Sequence, residues 1–265
     1  MSQLTLSQLV SELGGGAQVT GFFLVLARVS PLFVLAPLFS SKIIPARVRG
    51  IIAVALTIGL TPVAVHGQHV PTDPLSVAGL MVVQVLIGLA FAFAVSALLT
   101  AVQTAGGLAD IASGFSFGAT VDPINGNQGG AFARLYMMIG TAMFIAIGGD
   151  AWMLRGISRT FKLVPLTKAP KITSLVNGAE QAFAQIFVSA IEVAAPVLLA
   201  LLITDVAFGM VSRAVPQLNV FSVALPLKVG VAMLVVAASL PFLGGWMSDQ
   251  IYTSVGTALH SLSIA

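Results

Sequence analysis

The sequence predicts an all-α integral membrane protein, with about six apolar segments and a central glycine-rich stretch. Three observations carry that expectation. The first is composition: 57% of the 265 residues are hydrophobic and 8% charged, against about 25% charged in an ordinary soluble domain. Mean hydropathy is +1.03. The second is pattern, because long apolar runs alternate with short polar connectors along the whole chain. The third is the stretch Gly106–Gly130, GGLADIASGFSFGATVDPINGNQGG, which interrupts the apolar runs. Glycines at 106, 107, 114, 118, 126, 129 and 130 flank Phe115 and Phe117, and Asp122-Pro123 and Asn125-Gly126 add turn chemistry. Glycine at this density favours neither helix nor strand. Lipid cannot satisfy such a backbone, so the stretch is expected to be buried in protein, to line a wet cavity or to lie outside the bilayer.

Composition also excludes function classes. There is no cysteine, which removes disulfides, thiolate metal sites and cysteine nucleophiles. A net charge of +3 is too small to imply nucleic acid as a partner. The opening residues MSQLTLSQLVSELGGG carry no basic n-region ahead of an apolar core, so a cleaved signal peptide is not expected.

In chain order, Ser2–Leu13 places Leu4, Leu6, Leu9, Val10 and Leu13 near one helical face, as a short interfacial or packed helix would. The first long apolar segment, 19–39, contains Arg28, Pro31 and Pro37. An arginine at mid-segment must face protein or water, so Arg28 is read either as snorkelling or paired with a carboxylate of this chain, or as a subunit contact. The connector 40–50 clusters Lys42, Arg47 and Arg49. The second segment, 51–65, ends around Thr61-Pro62 and is shorter than the ~20 residues of a simple span. His66 and His69 in the next loop lack a local ligand set and read as plain loop residues.

Pro74–Ala109 is the longest stretch without a charge, either one long tilted helix or a broken one. Gln84 and Gln103 interrupt it, and Gly88 and Ala90 offer close helix contact. The fourth segment runs over 131–149 with Asp150 closing it. A basic hydrophilic connector is expected at about 150–180, with Arg155, Arg159, Lys162, Lys168 and Lys171 on a solvated or lipid-headgroup face. The fifth segment, 181–210, holds Glu192, Pro196 and Asp205, and the sixth, 220–243, holds Lys228 after Pro226. The tail from Gly244 to Ala265 is weakly amphipathic.

Charges within apolar segments make poor lipid-facing spans and good subunit-facing ones. Six alternating spans would also put the two basic connectors on opposite sides, against the positive-inside rule. Either one segment is re-entrant or the helices do not cross in the ordinary way. Both points argue that the chain completes its structure within an assembly. Two other classes compete. A secondary transporter would use the glycine-rich loop as an unwound site and Asp205 or Glu192 as proton carrier. An intramembrane hydrolase would need a cluster of catalytic or metal-ligating side chains, and no His/Asp/Glu cluster in the chain has ligand spacing.

Three blocks carry a resemblance: ARVSPLFVLAPLFSSKIIPARVR (27–49), GFSFGATVDP (114–123) and SRAVPQLNVFSVALPLKVG (212–230). In order and spacing they resemble the FliR family of flagellar export-gate proteins and the SctT family of injectisomes, across nearly the whole chain. The resemblance implies a single non-enzymatic export-gate domain over 1–265, without cofactor. It implies a fold of tilted helical hairpins, completed by assembly with FliP-like and FliQ-like subunits, and a FlhB-like one, into a helical gate. The gate would sit in the bacterial inner membrane at the flagellar basal body, partly raised toward the periplasm. Unfolded rod, hook and filament proteins would pass through it, with membrane lipid around it. By the same match, about 110–128 supplies a plug loop, with Gly114, Phe115, Phe117, Gly118, Asp122 and Pro123 as its gate residues. The position near Thr120, aromatic in the family, is not aromatic here. Arg213, Pro216, Gln217, Asn219 and Lys228 are implied to have structural and intersubunit roles, or else form a capped helix turn and a proline kink. Glu192 and Asp205 are read as assembly groups, or as pairing with Arg28, Arg213 or Lys228.

Overall fold

The structure is a computed structural model, which describes residues 15–36, 39, 44–115, 130–215, 217 and 219–263. Seven α-helices follow in chain order, and no strand occurs among the described residues. They are α1 (Gly15–Leu35), α2 (Ala46–Val65), α3 (Pro74–Ser113), α4 (Ala131–Ala146), α5 (Gly149–Leu163), α6 (Ile172–Ala214) and α7 (Val220–Ser263). Five are long and apolar enough to cross a membrane, and α4 with α5, broken at 147–148, makes a sixth if counted as one span. The all-α membrane class expected from composition is the class observed.

Four element boundaries differ from expectation. The second segment begins at Ala46 rather than Ile51, so α2 reaches 20 residues, the length of a simple span. Arg47 and Arg49 lie in its first turns, and Arg49 Nε donates to the Ile44 carbonyl at 3.2 Å. Long basic side chains reach away from a helix end and do not stop it. The segment from Pro74 is one unbroken helix of 40 residues that runs through Gly106 and Gly107 to Ser113. The expectation that 106–130 is loop is therefore corrected at its N-terminal end. Gly106 is helical because small residues let two helix backbones meet. A Cβ there would lie 2.5 Å from the Phe132 carbonyl oxygen and 2.7 Å from Ala133 Cα.

Asp150 opens α5 and does not close α4, and half of the expected hydrophilic connector is this helix. Met153, Gly156, Ile157, Thr160 and Phe161 form its buried face. Gly148, at φ +70°, makes the preceding turn, a backbone conformation that favours glycine. Finally, the tail is continuous with the sixth segment, since α7 runs for 44 residues to Ser263.

The helices group into two compact units: Met1–Ser96, Gly149–Ala182 and Tyr252–Ala265 in one, Ala97–Gly148 and Phe183–Ile251 in the other. In the first, α1 packs along α2, and α5 also touches α2. Gly88 of α3 lies against the Arg28 carbonyl of α1, the close contact expected from the sequence. In the second, Gly140 of α4 lies against Val102 and Leu99 of α3.

Length is the feature that bears on function. At 1.5 Å per residue, α3, α6 and α7 are each about 60–65 Å long, roughly twice the ~30 Å hydrocarbon core. In their apolar windows 61% of α3 is buried, against 39% of α6 and 11% of α7. Both α6 and α7 expose large apolar side chains within this chain, Leu202, Ile203, Leu227 and Leu234 among them.

Candidate functional site

Three polar constructions stand out in an apolar chain, and each begins from a backbone or side-chain group that lipid could not satisfy. The first surrounds Arg28, which is completely buried in the first unit. Its Nε donates to Gln84 Oε1 at 2.6 Å, and Nη1 reaches Thr160 Oγ1 at 3.4 Å. The guanidinium carbon lies 4.4 Å from the Phe161 ring centroid, in cation–π range. No ion pair to Arg28 occurs among the described residues, so the reading of an Arg28–carboxylate pair is corrected there. Arg28 is fully buried between α1, α3 and α5 within this chain. Dipoles and a π face hold this cation instead of a counter-charge.

Gln84 is the hub of that site. Its Nε2 donates to the Leu166 carbonyl at 2.9 Å, while the Leu166 N–H donates to Gln68 Oε1 at 2.8 Å. Leu166 is fully buried in the turn after α5, where both backbone groups need partners. Two glutamines supply them, and one also holds Arg28. The sequence marked Gln84 only as an interruption of an apolar run. A lone amide within such a run is itself the signal that a buried partner exists.

The second construction lies in the other unit, at the start of α4. Gly130 is the N-cap and has no side chain to cap with. Asp110, 3% exposed on α3, supplies the cap from outside: Oδ1 accepts the Phe132 N–H at 2.9 Å and Oδ2 the Ala133 N–H at 2.8 Å. A carboxylate on two free N–H groups at the positive end of a helix is charge-assisted. A Cβ on Gly130 would collide with that carboxylate, so the glycine is required by the clasp. The Phe115 and Phe132 rings meet edge to face at 5.8 Å beside it, and Gly114, at φ +85°, turns the chain out of α3. The family match makes Asp110 the loop's first residue, yet it lies in α3, and its capping role is not visible locally because its partners are 22 and 23 residues away. Asp110→Ala is expected to destabilise this unit by about 2 kcal/mol and Asp110→Asn by about half as much, since the amide keeps one acceptor oxygen. Amide hydrogen exchange at Phe132 and Ala133 reads the loss directly. Unchanged protection in Asp110→Ala would show that the clasp does not hold the end of α4.

The third construction pairs charges on the two long helices. Lys228 of α7 forms an ion pair with Asp205 of α6, and Glu192 Oε2 accepts the Trp246 indole N–H at 3.0 Å. Asp205 therefore pairs as one of the two readings had it, whereas Glu192 binds an indole and not a cation. The Asp205 side chain keeps half its surface exposed while Lys228 is mostly covered. Arg213, Gln217 and Asn219 are exposed near the junction of α6 and α7, and the Asn219 carbonyl accepts the Ser222 N–H and hydroxyl at 3.2 and 2.8 Å.

Of the expected gate residues, Gly114 and Phe115 are placed at the N-terminal edge of the glycine-rich stretch, with Phe115 40% exposed. Phe117, Gly118, Asp122 and Pro123 lie outside the described residues, as do Pro216 and the Ser2–Leu13 segment. His66 and His69 are exposed, and no cluster of metal-ligating side chains occurs among the described residues.

Comparison with known proteins places these features in context. Residues 19–254 match the family described as bacterial export proteins, family 1. The flagellar biosynthetic protein FliR of Escherichia coli K12 is 29% identical over 222 residues, covering 84% of this chain and 85% of that protein. FliR of Bacillus subtilis 168 is 31% identical over 232 residues, covering 83% and 87%. The surface presentation of antigens protein SpaR of Salmonella typhimurium LT2 is 25% identical over 214 residues, covering 79% and 78%.

Proposed function

The chain belongs to the bacterial export proteins, family 1, and from that premise we propose that it is a core, non-enzymatic subunit of the flagellar type III protein export gate. With FliP-like and FliQ-like subunits, and a FlhB-like one, it forms a gated channel in the bacterial inner membrane for unfolded rod, hook and filament proteins. Residues 1–265 act as one export-gate domain. The secondary transporter is not favoured, because the similarity to export proteins covers nearly the whole chain.

One structural observation carries the assembly reading. The helices α6 and α7 have 43 and 44 residues, far longer than a bilayer is thick, and in the apolar window of α7 only 11% is buried within this chain. Apolar surface that long cannot be covered by hydrocarbon along its whole length. The remainder requires protein neighbours, and helices overhanging the membrane suit a gate raised toward the periplasm. The glycine-rich stretch acts as the plug. Phenylalanines supply a dry constriction and glycines a backbone that rearranges at low steric cost; Gly114 and Phe115 form its edge and Asp110 ties down its base.

Native mass and composition of the tagged protein, purified from its own cell in mild detergent, test the proposal. A large, defined complex with two small hydrophobic subunits is the expected result. A lone monomer or small homo-oligomer would overturn it. Given the complex, deleting Gly114–Val121 is expected to make the inner membrane leak ions on co-expression of the gate. An intact membrane with normal export would remove the plug while leaving the assembly in place.

A further inference from the structure

The export reading makes no use of α5, although this helix carries the densest charge in the chain. Between residues 151 and 179 there are five basic residues and no acidic one. Arg155, Arg159 and Lys162 are all exposed, and at spacings of four and three they share one helix face. Lys168 and Lys171 continue the stripe beyond the helix and are exposed too. The opposite face is buried: Met153, Ile157 and Phe161 are each at most 4% exposed, and Gly156 lets the Phe91 ring approach to within 2.6 Å of where a Cβ would stand.

A second observation sets the depth of this face. Trp152 and Tyr252 stack edge to face at 4.6 Å, and the Arg155 guanidinium lies 5.7 Å from the Trp152 ring. Trp and Tyr concentrate at the level of lipid headgroups, where the ring body is apolar and its polar tip is wet. The helix begins two residues after apolar α4 ends, so the chain reaches this aromatic pair on leaving an apolar segment. A basic stripe beside an aromatic pair at the end of such a segment matches the chemistry of a membrane surface.

We propose that the exposed face of α5, from Arg155 through Lys171, is a binding surface for anionic phospholipid headgroups. Arg155, Arg159 and Lys162 contact the phosphates, and Trp152 with Tyr252 sets the depth at which they do so. Arginine forks suit phosphate oxygens, and no acidic residue interrupts the stripe between 151 and 179. The occupant is lipid and not an acidic protein segment, because interfacial aromatics accompany the charge and the helix directly follows an apolar one.

The chain has two tryptophans, so Trp246→Phe leaves Trp152 as a single reporter. The full-length Trp246→Phe protein is reconstituted into phosphatidylcholine vesicles containing a minor fraction of brominated phosphatidylglycerol or brominated phosphatidylcholine. Bromines near the headgroup end of the acyl chains quench Trp152 fluorescence on contact. The expected result is enrichment of the anionic lipid at Trp152 by about fivefold, lost at about half-molar salt. The same loss is expected in the triple variant Arg155→Gln, Arg159→Gln, Lys162→Gln, but not in Arg47→Gln, which removes a charge elsewhere. Equal quenching by the two lipids, or a preference that survives in the triple variant, would overturn the proposal. A second measurement guards against a misfolded variant: phosphatidylglycerol retained per purified complex, counted by mass spectrometry, should fall in the triple variant at unchanged complex yield. Unchanged retention, or loss of a protein partner instead of lipid, would assign the stripe to another occupant and overturn the proposal as well.

Discussion

Replacing Gln84 with leucine is expected to destabilise the protein by about 3 kcal/mol, more than replacing Arg28 itself with methionine. The asymmetry follows from what each change leaves behind. Gln84→Leu keeps a fully buried cation and removes its 2.6 Å acceptor, and it also orphans the Leu166 carbonyl in its buried turn. Arg28→Met removes the charge with the bond and fills most of the same space, leaving one amide oxygen unpaired; that costs about 1–2 kcal/mol. The double variant should cost clearly less than the sum, because the unpaired cation is gone and only the Leu166 carbonyl remains without its donor. Thermal unfolding of the purified complex in one detergent gives all three values. If Arg28→Met is the worse single change and the two effects simply add, the cation does not depend on Gln84.

Gly88→Ala is expected to cost about 2–3 kcal/mol through overpacking. The added Cβ would stand 2.9 Å from the Arg28 carbonyl carbon, closer still to its oxygen, and 3.0 Å from Pro31 Cγ. These are backbone and ring atoms of α1, which cannot swing aside as the tip of a side chain can. The helices must separate, and the Arg28–Gln84 bond spans the gap that opens. Gly79, nine residues earlier in the same helix, has open space around it, so Gly79→Ala should be neutral or stabilising by up to about 1 kcal/mol. Unfolding temperatures of the two variants, measured side by side, separate a packing effect from glycine's helix propensity. Equal behaviour of the two would show that the α1–α3 approach tolerates a methyl group.

How much of this was legible in the chain depends on how local each cause is. Gly88 as a helix contact was readable, since a small residue in a long uncharged run has few other uses. Glu192 was readable as a carboxylate needing a partner but not as the acceptor of Trp246, which is 54 residues away. Asp110 was readable as the start of the loop but not as a cap, because the free N–H groups it accepts from lie 22 and 23 residues away in another helix.

Composition and the spacing of apolar runs alone determined the all-α membrane class and the count of about six apolar segments. These properties follow from residue-by-residue transfer free energies and from the need to satisfy every backbone group in hydrocarbon, which adjacent residues report directly. Only the tertiary structure decided that Gly106 and Gly107 continue a helix and that half of a hydrophilic connector folds as α5 with one face buried. It alone decided that Arg28 is held by an amide, a hydroxyl and a ring, and that α4 is capped by a carboxylate from α3. In each case packing against a distant segment outweighs a local preference: helix propensity differs by about 1 kcal/mol per glycine, whereas an unpaired buried charge or a colliding backbone costs several times that.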